Sequence, residues 1–150
     1  MQMKRSCRMS VSLCVVFGAA AACASCAAAE PAAGSEKFWI RQDGDVLHVE
    51  PAPHDGSGQT KAYRYFDDVP NPGVVFRKRA LPKGGAIGMH VLEHDEVYYL
   101  ASGRAELVVD DEKRALSPNT AVYMRRGANV GIRQDGDEEA MIIVAYPPTR

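Results

Sequence analysis

At 150 residues the chain has room for one compact domain and little more. Hydrophobic residues make up 46%, charged residues 25%, and the formal net charge is −1, which excludes a disordered, collagen-like or nucleic-acid-coating chain. Residues 1–29 hold three basic side chains and no acidic one, leaving 15 basic against 19 acidic beyond them, with no basic stripe for DNA, RNA or anionic lipid.

Taken in chain order, the first segment reads as an export signal. Basic Met1–Met9 precedes an apolar run, Val11–Ala22, of about 12 residues, too short for a hydrocarbon core that needs ~20. Ala27-Ala28-Ala29 before Glu30 supplies the small-x-small pattern of a signal-peptidase site. The competing reading is a lipoprotein anchored at Cys23, although the usual upstream Leu is missing. Either way the destination is the periplasm, the outer envelope or the medium. All four cysteines (Cys7, Cys14, Cys23, Cys26) lie in this stretch, so a chain processed at Glu30 has neither a disulfide nor a thiol nucleophile.

Residues 30–60 are expected to form a linker and an N-terminal edge strand around Val46–Val49, with a turn-rich loop at 51–60. From 61 to 148 short strands alternate with turn chemistry: Ala62–Phe66, Val74–Leu81, Ile87–Leu92, Val97–Ala101, Ala105–Val109, Arg114–Leu116, Ala121–Arg126, Val130–Arg133 and Ala140–Tyr146. No stretch past residue 30 sustains a helical apolar period, so the fold class is all-β, a sandwich or barrel.

Gly84, His90, Glu96 and Gly103 stand at the spacing G(X)5HXH(X)3E(X)6G, within GGAIGMHVLEHDEVYYLASG. After an interval of 15 residues, 119–134 align without gaps on G(X)5PXG(X)2H(X)3N and keep the inner glycine as Gly127. The chain therefore resembles small single-domain cupins, which implies a jelly-roll β-barrel (a double-stranded β-helix). In that family two imidazoles and a carboxylate from the first motif, with a third imidazole from the second, hold Fe, Mn, Ni or Zn in the barrel mouth with positions open to substrate. Here His90 and Glu96 occupy matching positions, but Leu92 and Val130 stand where the other two imidazoles belong. Asn119, Arg125 and Gln134 replace the second motif's outer glycine, proline and asparagine. The implied site is incomplete.

His94 offers a partial repair. His90, Leu92, His94 and Glu96 share parity, so an extended backbone would point His90, His94 and Glu96 one way as a metal set; a hairpin turn near Leu92–His94 would break that alternation. Strand alternation also nominates Arg79 and Arg133, among Arg77, Arg79, Arg125 and Arg133, as inward partners for an anionic ligand. Leu92 and Val130 are expected to line the pocket, and Tyr123 to offer a catalytic hydroxyl in the mouth.

Three functions follow. The first is an exported protein binding a small polar molecule, sugar or sugar-acid like, in the barrel mouth. The second is a metal-dependent isomerase, lyase or dioxygenase using His90, His94 and Glu96. The third is a ligand-free dimeric domain, since the resemblance implies a homodimer formed by packing sheets or by exchanging residues 38–49.

Overall fold

The computed structural model describes residues 37–149. The expected export signal with its alternative cleavage and lipidation positions, all four cysteines and the start of the expected linker lie outside the described residues.

The chain opens with a single helical turn, α1 (Asp43–Val46), and then runs through ten strands. These are β1 (Leu47–Pro51), β2 (Gln59–Tyr65), β3 (Val75–Leu81), β4 (Ala86–Val91), β5 (Glu96–Ser102), β6 (Ala105–Val109), β7 (Glu112–Leu116), β8 (Thr120–Met124), β9 (Asn129–Gln134) and β10 (Ala140–Tyr146). The nine strands expected from the sequence are all present, with ends moved by a few residues. β1 is the anticipated edge strand, and it pairs with β2 of its own chain.

All pairings are antiparallel, in two sheets: β1-β2-β3-β10-β5-β8 and β4-β9-β6-β7. Their inner faces enclose the core, in which Leu81, Leu92, Leu100, Leu107, Ile132 and Ile142 are almost completely buried. The arrangement is a jelly roll. Strict alternation of buried and accessible residues along β5 and β10 gives each strand one core face. The outer strand β7 is exposed along Glu112-Lys113-Arg114, charges that discourage edge-to-edge pairing.

The motif glycines have a conformational reason. Gly84, Gly103 and Gly127 take φ of +78°, +71° and +90°, a left-handed region that a Cβ disfavours. Asn119, standing where the second motif has its outer glycine, is also left-handed at φ +66°, which asparagine tolerates better than most residues. Gln134 is buried and works as a staple: its amide nitrogen donates to the Gly136 and Glu138 carbonyls at 2.9 and 2.7 Å, while its oxygen accepts from the Gly84 N–H at 3.1 Å.

Candidate functional site

Cross-strand register turns the inner face of the larger sheet from apolar to polar toward one end. Leu81 lies opposite Ala140, Arg79 opposite Ile142, Arg77 opposite Val144, and Val75 opposite Tyr146. On the far side of β10, Leu100 pairs with Ile142 and Tyr98 with Val144, and Glu96 follows two residues further along β5. The side chains of Arg79, Arg77, Tyr98, Tyr146 and Glu96 therefore gather where the barrel opens.

The smaller sheet contributes His90 through an irregularity. Ile87 faces Ile132 and His90 faces Val130, so three steps on β4 match two on β9, and a β-bulge re-aims His90 inward. Its Nδ1 lies 3.0 Å from the Gly88 carbonyl; since a carbonyl only accepts, Nδ1 is the donor of this bond.

A third wall comes from the loop between β1 and β2. Gly88 N–H donates to the Pro53 carbonyl at 3.1 Å, and Ser57 and Ala86 exchange backbone bonds of 3.1 and 3.0 Å. A Cβ on Gly88 would stand 1.7 Å from the His54 carbonyl oxygen, and one on Gly56 2.0 Å from that of Ala86. Only glycine permits this approach. His54 and Asp55 are held left-handed at φ +56°, and the His54 ring stacks on His90 with centroids 3.7 Å apart and planes 5° from parallel.

Together these elements line a cavity of about 130 Å3. Burial pushes the Glu96 carboxyl above the usual carboxylate range, more than His94, His90 and the Tyr98 hydroxyl pull it down. Burial likewise raises the Tyr98 and Tyr146 phenols. His54 is pushed down by partial desolvation and by the neighbouring His90 and Arg79. Although burial opposes it, Arg79 and Arg64 hold the Glu50 carboxyl below its ordinary value.

Several expected positions move. The chain turns at Leu92–Asp95, between β4 and β5, so the alternation that would align His90, His94 and Glu96 is broken. His94 instead sits in that turn, its Nε2 3.3 Å from Glu96 Oε1 without an aligned hydrogen bond, and its ring rests against Tyr146. Leu92 and Val130 are 2% and 0% exposed and belong to the core, not to the cavity wall. Arg133 shares neither face nor cavity with Arg79: it sits on the outer side of β9, bonded to Glu106 at 2.9 Å. Tyr123 is 63% exposed and donates to Asp95, away from the mouth. Arg79 is inward as expected, joined by Arg77, and His54 is an addition that no local pattern announces.

The donors do not fit a tightly held transition metal. The lone pairs of stacked, parallel imidazoles lie in separate parallel planes, so His54 and His90 cannot both aim at one ion. Among the described residues, no group of three or more His, Cys, Asp and Glu side chains is disposed to hold one.

An antiparallel jelly roll with a polar cavity at one open end is the architecture of a barrel-mouth binding protein or enzyme. Residues 78–146 match the Cupin_2 family, described as a cupin domain; this is a small cupin-type domain protein. No curated protein matches the sequence. The fold is similar to that of a predicted oxalate decarboxylase from Thermotoga maritima, with TM-score 0.66, 15% identity, and coverage of 74% of this chain and 100% of that one. It is similar also to the polyketide cyclase RemF from Streptomyces resistomycificus (TM-score 0.64, 19% identity, 75% and 81% covered). A third likeness is a Cupin 2 conserved barrel domain protein from Salinispora arenicola CNS-205 (TM-score 0.59, 21% identity, 75% and 90% covered). At these identities the likeness is one of fold.

Proposed function

We propose that the protein is exported and binds a small polar organic molecule, sugar or sugar-acid like, in the barrel mouth, by hydrogen bonds and charge and without a resident metal. The observation that carries this reading is the composition of the cavity wall. Arg77, Arg79, His54, His90, Glu96 and Tyr98 line it, while the two positions at which the family pattern has further imidazoles are aliphatic and packed in the core. A concave site with a few convergent polar groups on an apolar scaffold suits small-molecule binding. The basic and then apolar opening of the chain supports export.

Thermal unfolding of the purified protein against neutral sugars and sugar acids tests the binding claim, because a ligand of the native state raises the melting temperature. A shift that His90→Ala removes is expected; no shift with any compound would contradict it. Sequencing the N-terminus of the exported protein tests processing, with Glu30 expected and a lipidated Cys23 as the contrary result.

A further inference from the structure

The free edge of β1 is unguarded, and its sequence complements itself. β1 ends the larger sheet, with no strand beyond it among the described residues. Where the outer strand β7 carries Glu112-Lys113-Arg114, β1 shows Leu47 and Val49 on its outer face, 42% and 69% exposed. Unpaired N–H and C=O groups beside exposed apolar side chains invite another strand.

The backbone phase of β1 decides which groups face outward. Ala52 N–H donates to the Gly58 carbonyl at 3.0 Å, continuing the register in which Glu50 faces Thr60 and His48 faces Ala62. The backbone groups of His48 and Glu50 therefore point to β2, and those of Leu47, Val49 and Pro51 point to the open edge. Pro51, which has no N–H to give, stands where its own fold asks for none.

A second copy that continues the sheet through the same strand must run antiparallel about a two-fold axis, outer face beside outer face. Three registers satisfy this, since larger shifts run into α1 or past Pro51. Centred on His48, four ladder bonds form, and His48 faces its own copy. Centred on Val49, four also form: two between the Val49 residues and one from each Leu47 N–H to the second copy's Pro51 carbonyl. This register also sets each His48 against the second copy's Glu50, an attractive cross-strand pair made twice. Centred on Glu50, only two bonds form and the two carboxylates collide. Glu50 already accepts from Arg79 at 2.8 Å and from Arg64, and its carboxylate keeps lone pairs for a further donor. The Val49 register wins.

We propose that two copies of this chain associate through β1, antiparallel about a two-fold axis at Val49, joining their six-stranded sheets edge to edge. Each β1 stays paired with its own β2, so no segment is exchanged.

Sedimentation equilibrium of the purified protein from micromolar to millimolar concentration tests this, with a reversible monomer–dimer equilibrium expected. Val49→Lys, a change at an exposed outer-face position, should raise the dissociation constant at least tenfold. Ala121→Lys, on the opposite edge strand β8, should leave it within about twofold. His48→Lys should keep the dimer, because lysine also suits Glu50, and His48→Glu should weaken it at least tenfold. A monomer at every concentration would overturn the association. So would a dimer weakened by Ala121→Lys and not by Val49→Lys. Loss of the dimer in His48→Lys would overturn the Val49 register, since only a register that sets His48 against itself predicts it. Should Val49→Lys fail to fold, amide exchange at Leu47 and Val49 in the unaltered protein still decides: it should slow as concentration rises, and exchange independent of concentration would overturn the proposal.

Discussion

Replacing Gly88 by alanine should detach the loop that carries His54. The new Cβ would stand 1.7 Å from the His54 carbonyl oxygen and 3.0 Å from the Gly56 nitrogen, backbone atoms that cannot rotate aside. Relief requires the loop to lift from β4, and three backbone bonds go with it: Gly88 to Pro53 and the reciprocal pair between Ser57 and Ala86. At ~1 kcal/mol each they total about 3 kcal/mol. Releasing His54 and Asp55 from φ +56° returns about 1 kcal/mol at each position. The net loss is then about 1 kcal/mol, a fall in melting temperature of roughly 4 °C for a domain of this size. Gly73→Ala is the matched control, because its Cβ would meet nothing within 4 Å, and it should stay within about 0.5 kcal/mol. Thermal and urea unfolding followed by circular dichroism measure both. Gly88→Ala and Gly73→Ala proteins that melt together would refute the close packing of loop on strand.

Further outcomes separate the core from the cavity. Leu92→Ala should cost about 2–5 kcal/mol in urea unfolding while the affinity of the folded variant for its ligand holds, since Leu92 is a core residue. Arg133→Gln and Tyr123→Phe should change neither melting temperature nor affinity, for both side chains lie outside the cavity. The Glu96 carboxyl, raised above its unfolded value of 4.5, adds stability that is fully present below pH 4.5 and lost as pH climbs through the folded value. Glu96→Gln should therefore flatten the decline of the denaturation midpoint between pH 4.5 and neutrality; an unchanged profile would place Glu96 in solvent. His54 has the opposite sign: lowered from 6.5, it costs stability as pH falls below 6.5, and His54→Ala should remove that part of the acid-side loss.

Strand positions and turns were legible because the local signals agree with the fold. Apolar alternation marks β5 and β10, and the glycines of the first motif sit where the backbone is left-handed. Arg133 was misplaced despite a signal within its own strand: Val130, Ile132 and Gln134 alternate inward, which assigns Arg133 to the other face. Tyr123 has the same explanation, lying between Val122 and Met124 on β8. The inward aim of His90 could not be read from alternation, because it depends on a bulge between Ile87 and His90. His54 depends on a contact between loop and strand more than 30 residues apart, made possible by Gly56 and Gly88 together; neither glycine reveals its partner.

Metal analysis of the protein, purified without a metal-affinity tag and incubated with Fe, Mn, Ni and Zn in turn, tests the central claim most directly. A cavity that works through Arg77, His90 and Glu96 as hydrogen-bonding groups predicts far less than one ion per chain in every preparation. Close to one ion per chain, lost in both His90→Ala and Glu96→Ala, would contradict it and establish metal-dependent chemistry in the barrel mouth.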